Sequence, residues 1–512
     1  MGYTTPSVDL LLSYYCLKSY EHYKKQLIED AYAIADEPTV GSLVFSEKGL
    51  HERAMQKVRR ELEQGIQGLE IKLNTVASSR GDYPFVSFSF GAYEELPYGL
   101  QRDFAKMVCE VILKVRKGGQ GKDGFKRPVL FPKLTQFYIE DVHGEGKEDE
   151  YLFDLGCECS ASCMYPDHLS LSGEGYIPEM YKKYKRPLSL MGCRASLSPW
   201  YEEGGMYPAH EDDKPVFVGR FNIGAVSLHL PLIYQEAKTT GQDFYDLLDY
   251  YLEMIRGIHI RTYEHLSKMK ASVNPLGYTQ GGFLGGHLDY DQEIGLDFLR
   301  PMTASFGVTA LNELCELHYQ KSIYEDNSFA KEVMEHINQR VQEFKETDHW
   351  LYAIYGTPAE SLVGKQVQQF RQRFGIIKNV SDRDYVSNSF HCSVREKITP
   401  FEKQDKEAEM WDYFNGGKIQ YTKYPINYNL QAIKDIVRRG MKLGFYQGVN
   451  LSLSYCDACG HQELNMEVCP KCGSKEVTKV ERMNGYLSYS RVKGDSRLNE
   501  SKMSEISERE SM

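Results

Sequence analysis

What this 512-residue chain lacks narrows its class first. No stretch approaches the roughly 18 uncharged apolar residues that a membrane-crossing helix needs. The opening, MGYTTPSVDLLLSYYCLKSYEHYKK, has neither the basic start nor the clean apolar core of a signal peptide. Pro6 occupies the position where a myristoylation signal would carry Ser or Thr. There is no excess of positive charge: 61 Lys and Arg face 72 Asp and Glu, a net charge of −11, which argues against a nucleic-acid binder. The chain also has no internal repeat and no low-complexity tract. These absences together predict a cytoplasmic protein with neither a membrane nor a nucleic acid as partner.

What is present is the balance of a globular protein, 41% hydrophobic and 26% charged, with ample material for a large core. Met55, Val58, Leu62, Ile66, Leu69 and Leu73 recur at three- and four-residue spacing and predict a helix from Glu52 to Leu73. Alternation in Tyr83–Gly91 predicts a strand, Val129–Ile139 a second and Phe221–Ile233 a third, with helical stretches at Gly241–Leu266 and Ala330–Phe344. Strands alternating with helices imply an α/β fold with a substantially parallel sheet. From Tyr455 onward Cys, Gly and Lys replace the apolar periods, and Lys493–Met512 reads as a solvated tail or surface helix.

Twelve cysteines in a long chain without a secretion signal point to thiol chemistry and metal rather than to disulfides. Cys456-Asp-Ala-Cys459, nine intervening residues, and Cys469-Pro-Lys-Cys472 form two CxxC pairs. Each pair can turn tightly and aim two sulfurs at one point, so the two together supply a tetrahedral Zn²⁺ site, closed to water and therefore structural. Gly460 and Gly473 follow the pairs, where a positive φ lets the chain leave each turn. A redox CxxC is the other reading, and the doubling disfavours it. His461 reads as an exposed turn histidine rather than a fifth candidate ligand. Cys157, Cys159 and Cys163 in GCECSASC have unpaired spacing and read as buried thiols flanking a strand.

Beyond the knuckle lies Arg482-Met483-Asn484-Gly485-Tyr486-Leu487. An isolated Asn-Gly is a type I′ turn by composition. A four-cysteine site followed by RxxGYL, however, strongly resembles the anaerobic, class III ribonucleotide reductases. Further segments resemble that family in order: Leu73–Gly91, Leu130–Leu134, Pro187–Arg194, Gly219–Pro231, Tyr355–Leu362, Ser387–His391 and Ile398–Lys403.

The resemblance implies a ten-stranded α/β barrel with a central finger loop over 1–450, a zinc knuckle over 451–478, and a glycyl-radical loop with tail over 479–512. It implies a stable backbone radical on Gly485, where the missing side chain lets the Cα radical become planar. Cys193 in MGCR matches the fingertip cysteine that becomes a thiyl and abstracts the 3′-hydrogen of a ribonucleoside triphosphate. Asn222 matches a position near the ribose. Met191, Thr357, Ser361 and Asn388 are the candidate substrate-binding residues; Thr357 and Ser361 flank an expected helix start with Pro358 in its first turn. The family also implies formate or a small redoxin as reductant, with the Met191 and Asn222 pattern resembling the formate-using branch, together with nucleotide effectors, a homodimer and a radical-SAM activating enzyme.

The match has a gap. Members of the family begin with a nucleotide-binding cone and a first barrel strand that carries a second active-site cysteine, and this chain is expected to start after both. Cys16 lies in a helical-looking stretch and does not replace that cysteine. A split or truncated subunit without independent turnover therefore stays open beside the full reductase. Another glycyl-radical enzyme is the third reading, disfavoured by the knuckle and by the lack of an adjacent Cys-Cys pair. For the knuckle, Cys469→Ser is expected to lose its metal in elemental analysis and to fail to acquire the radical; retention of both would remove the structural role.

Overall fold

The computed structural model describes residues 2–34, 47–75, 85–423, 429–490 and 499–510. Its contacts divide the chain into two compact units, one of Met1–Ser172, Ile426–Lys442 and Leu453–Thr478, the other of Gly173–Pro425, Leu443–Ser452 and Lys479–Met512.

In the first unit four strands lie parallel in sequence order: β1 (Gly2–Thr5), β2 (Phe85–Phe90), β3 (Lys133–Tyr138) and β4 (Asp167–Ser170). The predicted strand at Tyr83–Gly91 is β2; Tyr83 and Pro84 lie outside the described residues. The strand expected from Val129 starts only at Lys133, after Pro132, which has no N–H to give a ladder. The helix expected from Glu52 runs Glu47–Thr75. It packs with helices Val8–Ile34, which contains Cys16, and Leu100–Gly118. The last of these buries Phe104, Val108, Val111, Ile112 and Val115 along one stripe. Within this packing, Arg116 Nε donates to Glu70 Oε1 at 2.7 Å with both side chains buried. Cys157, Cys159 and Cys163 are buried, as expected, on helix Glu150–Cys163, which leads directly into β4.

The second unit contains the parallel sheet β5 (Asn222–His229), β6 (Thr303–Thr309) and β7 (Leu351–Gly356), and a parallel pair, β8 (Gln420–Lys423) with β9 (Tyr446–Asn450). Within the segment Phe221–Ile233 the strand ends at His229, and Leu230 opens a helix with Pro231 in its first turn. Helices Phe244–Ser267 and Ser328–Asp348 correspond to the two expected helical stretches. Every residue of β6 and β7 is buried, as in parallel sheets covered on both faces. The strands and helices alternate as the sequence implied, and the fold is α/β. Among the described residues, no helix is long and apolar enough to cross a membrane.

Five histidines are buried neutral. Burial pulls His143 and His229 down to about 3, and His168, His259 and His391 down to about 4. Their folded-state values lie below the ordinary value of about 6.5, so the stability they contribute is complete above that value and lost as pH falls through the folded values. The thermal midpoint is expected to fall between pH 6.5 and 4, with each histidine contributing up to about 1.4 kcal/mol per pH unit. A midpoint constant over that range would contradict it.

Candidate functional site

Parallel sheets present their binding loops beyond the carboxyl ends of the strands. In the second unit the backbone is strained there. Ala310 after β6, Ala359 after β7 and Ser389 in the SNSFH loop have φ of 60°, 50° and 51°. Left-handed backbone at a residue with a side chain costs about 1–3 kcal/mol and persists only where the surroundings impose it. Here they do. Ala310 N donates to Ser387 O (3.0 Å), and the amide and hydroxyl of Ser387 both donate to buried Glu313 Oε1 (3.0 Å each).

The MGCR segment forms a tight finger. Met191 and Ala195 exchange two backbone hydrogen bonds (2.7 and 3.0 Å), and Gly192 takes a φ of 55° at the bend. Gly417 anchors the finger from outside: a Cβ there would lie 2.2 Å from Arg194 O, and its own carbonyl accepts from Gly356 N at 2.9 Å. Half-buried Cys193 therefore sits at a fixed tip, and its Sγ donates to Glu360 Oε1 at 3.2 Å.

Gly485 meets that tip. The loop from Met483 to Tyr486 joins β10 (Val477–Arg482) to β11 (Leu487–Tyr489), closed by Met483 N donating to Tyr486 O at 2.8 Å. Neither Asn484 nor Gly485 has a positive φ, so the type I′ turn that Asn-Gly suggests in isolation is not formed. Packing imposes the glycine instead. A Cβ on Gly485 would lie 2.3 Å from Cys193 O and 2.6 Å from Cys193 Cα. No side chain fits between the two backbones.

Asn484 holds this loop. Its Oδ1 accepts from Tyr421 OH (3.1 Å), Lys502 Nζ (3.2 Å) and Asn388 Nδ2 (3.5 Å), while its Nδ2 donates to Pro358 O. Arg194, fully buried, donates to Asn388 Oδ1 and to Tyr421 OH, both at 3.4 Å. Burial raises the Tyr421 hydroxyl above its ordinary value, so it stays a donor.

The tail takes the surface-helix form of the expectation, with one face turned inward. Residues 493–498 lie outside the described ones, but helix Glu500–Ser507, capped by Asn499, buries Lys502 and Glu505. Lys502 and Glu505 form a close ion pair, and Arg509 donates to Glu505 Oε1 (3.0 Å), Arg482 O (2.7 Å) and Met483 O (3.2 Å). Burial weighs against charge on Glu505, yet Lys502 and Arg509 together hold its carboxyl below the ordinary range. Burial draws the Lys502 ammonium down. The tail's polar composition disguised this, because its charges neutralise one another inside the unit instead of facing water.

The remaining candidates take these places. Asn222 Nδ2 donates to Ser305 Oγ (2.7 Å) and its Oδ1 accepts from Gly224 N (2.9 Å). The Thr357 and Ser227 hydroxyls lie 2.8 Å apart, over Gly307, where a Cβ would meet both oxygens. Ser361 is the N-cap of helix Leu362–Phe374 and makes no side-chain cap bond, while Pro358 and Thr357 precede the helix rather than opening it. Met191 stands at the base of the finger, and Asn388 belongs to the network around Asn484.

In the first unit, Cys456, Cys459, Cys469 and Cys472 gather with their sulfurs all within 4.8 Å of one another. Both knuckle turns form as the glycines suggest: Gly460 N donates to Cys456 O (3.0 Å), Gly473 N to Cys469 O (2.8 Å), with φ of 77° and 72°. Four thiols so placed are the donor set of a tetrahedral zinc site. His461 is outside this group, against Glu463.

Sequence reasoning passed over Glu360, Tyr421 and Arg509, and Tyr486 as a partner of Glu360. Glu360 and Tyr486 lie inside motifs that were read for their Thr, Ser and Gly; nothing local marks Tyr421 or Arg509, whose roles depend on distant partners.

The second unit is thus a parallel α/β scaffold in which a thiol-bearing turn is pressed against a glycine loop, and the first unit carries a four-thiol cluster. The family profile for anaerobic ribonucleoside-triphosphate reductase matches residues 2–511, and the chain belongs to that family. It is 29% identical over 506 residues to the anaerobic ribonucleoside-triphosphate reductase of Escherichia coli (strain K12), covering 95% of this chain and 65% of the relative. With that of Haemophilus influenzae the identity is 31% over 502 residues, with the same coverage. With that of phage T4 it is 30% over 510 residues, covering 96% and 77%. The chain thus spans 65% of the length of the first two curated relatives. A solved anaerobic ribonucleotide reductase superposes with a TM-score of 0.68 at 16% identity, covering 99% of this chain and 72% of the other. The Thermotoga maritima enzyme with dATP in its specificity site gives 0.64 at 16%, covering 95% and 73%. At these identities the superpositions speak for the fold.

Arg509→Ala removes the donors to Arg482 O and Met483 O and one partner of buried Glu505. Hydrogen–deuterium exchange is expected to accelerate by at least tenfold across Met483–Leu487. Unchanged protection there would show that the tail does not hold the loop.

Proposed function

We propose that this chain carries out anaerobic reduction of ribonucleoside triphosphates to deoxyribonucleoside triphosphates, with a radical stored on Gly485 and used through Cys193. The observation that supports it most is the contact between their backbones, which leaves no volume for a Cβ at position 485. A stored Cα radical needs a residue that can become planar and a hydrogen donor beside it, and this arrangement offers both.

In this reading the Cys193 S–H bond breaks, a Cα–H bond forms at Gly485, and the unpaired electron moves to sulfur. The thiyl takes the 3′-hydrogen of the ribose, the 2′-hydroxyl leaves as water with a proton from solvent, and once carbon 2′ is reduced Cys193 gives the 3′-hydrogen back and recovers a hydrogen from Gly485, restoring the radical there. Formate supplies the two electrons and is oxidised to CO₂. Asn222 hydrogen-bonds the sugar hydroxyls, with Met191 lining the base of the finger. The triphosphate lies against the N-terminus of helix Leu362–Phe374, where Ser361 leaves the first-turn N–H groups uncapped by its side chain. Thr357 and Asn388 are the further substrate-binding residues in this reading. Zinc on Cys456, Cys459, Cys469 and Cys472 fixes the fold of the knuckle. The wider reading includes the family's ten-stranded barrel, a radical-SAM activating enzyme, nucleotide effectors and a homodimer.

After anaerobic activation, electron paramagnetic resonance is expected to show a glycyl doublet that Gly485→Ala abolishes. Cys193→Ser is expected to keep the doublet and lose all turnover. Residual turnover in Cys193→Ser would remove it as the hydrogen-abstracting thiol. A doublet without any ribonucleotide reduction, even with the upstream segment of the longer relatives supplied, would favour a subunit without independent activity.

A further inference from the structure

The loop after β7 carries a carboxylate that this mechanism does not use. Glu360 Oε1 accepts from Cys193 Sγ at 3.2 Å, and its Oε2 accepts from Tyr486 OH at 2.9 Å. One side chain therefore grips the fingertip thiol and the residue next to Gly485 at once. We propose that Glu360 is a positioning residue for radical exchange, keeping the Cys193 sulfur in its hydrogen-bearing form and tethering the glycine loop to it. This rests on the radical reading of Cys193 and Gly485.

The chemistry demands such a group. Hydrogen-atom transfer moves a proton and an electron together, so a thiolate, which has no hydrogen, cannot repair a glycyl radical. A negative charge beside a thiol disfavours the thiolate, and an acceptor 3.2 Å away holds the S–H hydrogen in place. The other groups facing this point are Tyr355 on β7, Arg194 beside the cysteine, Tyr486, and Lys502 from the tail. The two cations are committed elsewhere, Arg194 to Asn388 and Tyr421, and Lys502 to Glu505 and Asn484. Burial, with Cys193 next, holds the Tyr355 hydroxyl well above its ordinary value, so it remains neutral. Glu360 is thus the carboxylate that contacts the sulfur. During the exchange its composition does not change: the hydrogen passes from sulfur to Gly485 Cα, the electron remains on sulfur, and no outside reagent enters.

The test has a readout that needs no turnover. In reduced full-length chain kept anaerobic, the rate of Cys193 alkylation by iodoacetamide is followed against pH by peptide mapping. Glu360→Gln, close in shape but neutral, is expected to move the midpoint down by about one pH unit and to speed alkylation about tenfold at neutral pH. Glu360→Asp, which keeps the charge, is expected to stay near the parent profile. A Gln profile like the parent's, or Gln and Asp profiles that coincide, would overturn the proposal. In activated enzyme, Glu360→Gln is expected to keep the glycyl doublet while kcat falls at least tenfold and KM stays within twofold; an unchanged kcat would equally overturn it. Turnover surviving in Cys193→Ser would instead defeat the underlying radical reading, with the alkylation result standing by itself.

Discussion

The second unit is organised around a distance too short for a side chain. The Gly485 loop and the Cys193 fingertip approach until a single added carbon would overlap carbonyl and Cα atoms. Such contact requires both partners to be stiff, because a loose finger or loop would relax apart. Stiffness on one side comes from the Met191–Ala195 bridge and from Gly417, whose own missing side chain lets the finger backbone settle on it. On the other side it comes from Asn484, whose amide oxygen gathers three donors in a buried setting. With Arg194, this network is assembled from six separate segments of chain.

Much of this was legible in the sequence where chemistry is local. The two CxxC pairs, their following glycines and the RxxGYL segment are short motifs whose geometry is encoded within a few residues. The knuckle turns formed as read, and the α/β alternation with parallel strands followed from periodicity. β6 and β7 were harder to see. TASFGVT has little apolar bulk, and its glycine is demanded by the Ser227 and Thr357 hydroxyls packed across it, a contact no local pattern announces. The same limit hid Tyr421 and Arg509. The tail's surface helix was expected, but not that Lys502, Glu505 and Arg509 compensate one another on its buried face, because charge density normally marks a wet surface.

The strained residues at the strand ends fit the same picture. Ala310 follows β6, Ala359 lies in the loop after β7 and Ser389 in the SNSFH segment. Ala310 and Ser389 are held by Glu313 and by backbone pairing between their two loops, so the scaffold spends stability at the place where functional groups are proposed to act. The five buried histidines are spread through both units and concern the scaffold as a whole, apart from His391, which joins Glu407 at 2.6 Å behind the SNSFH loop.

Arg509 also has a bearing on how the protein is made. It lies 26 residues downstream of Met483, whose carbonyl it holds. On the ribosome the glycine loop is synthesised first, so it leaves the tunnel without its fastener. Its shape is set only once the later helix has emerged and folded back, which makes this loop a late-forming part of the molecule at birth.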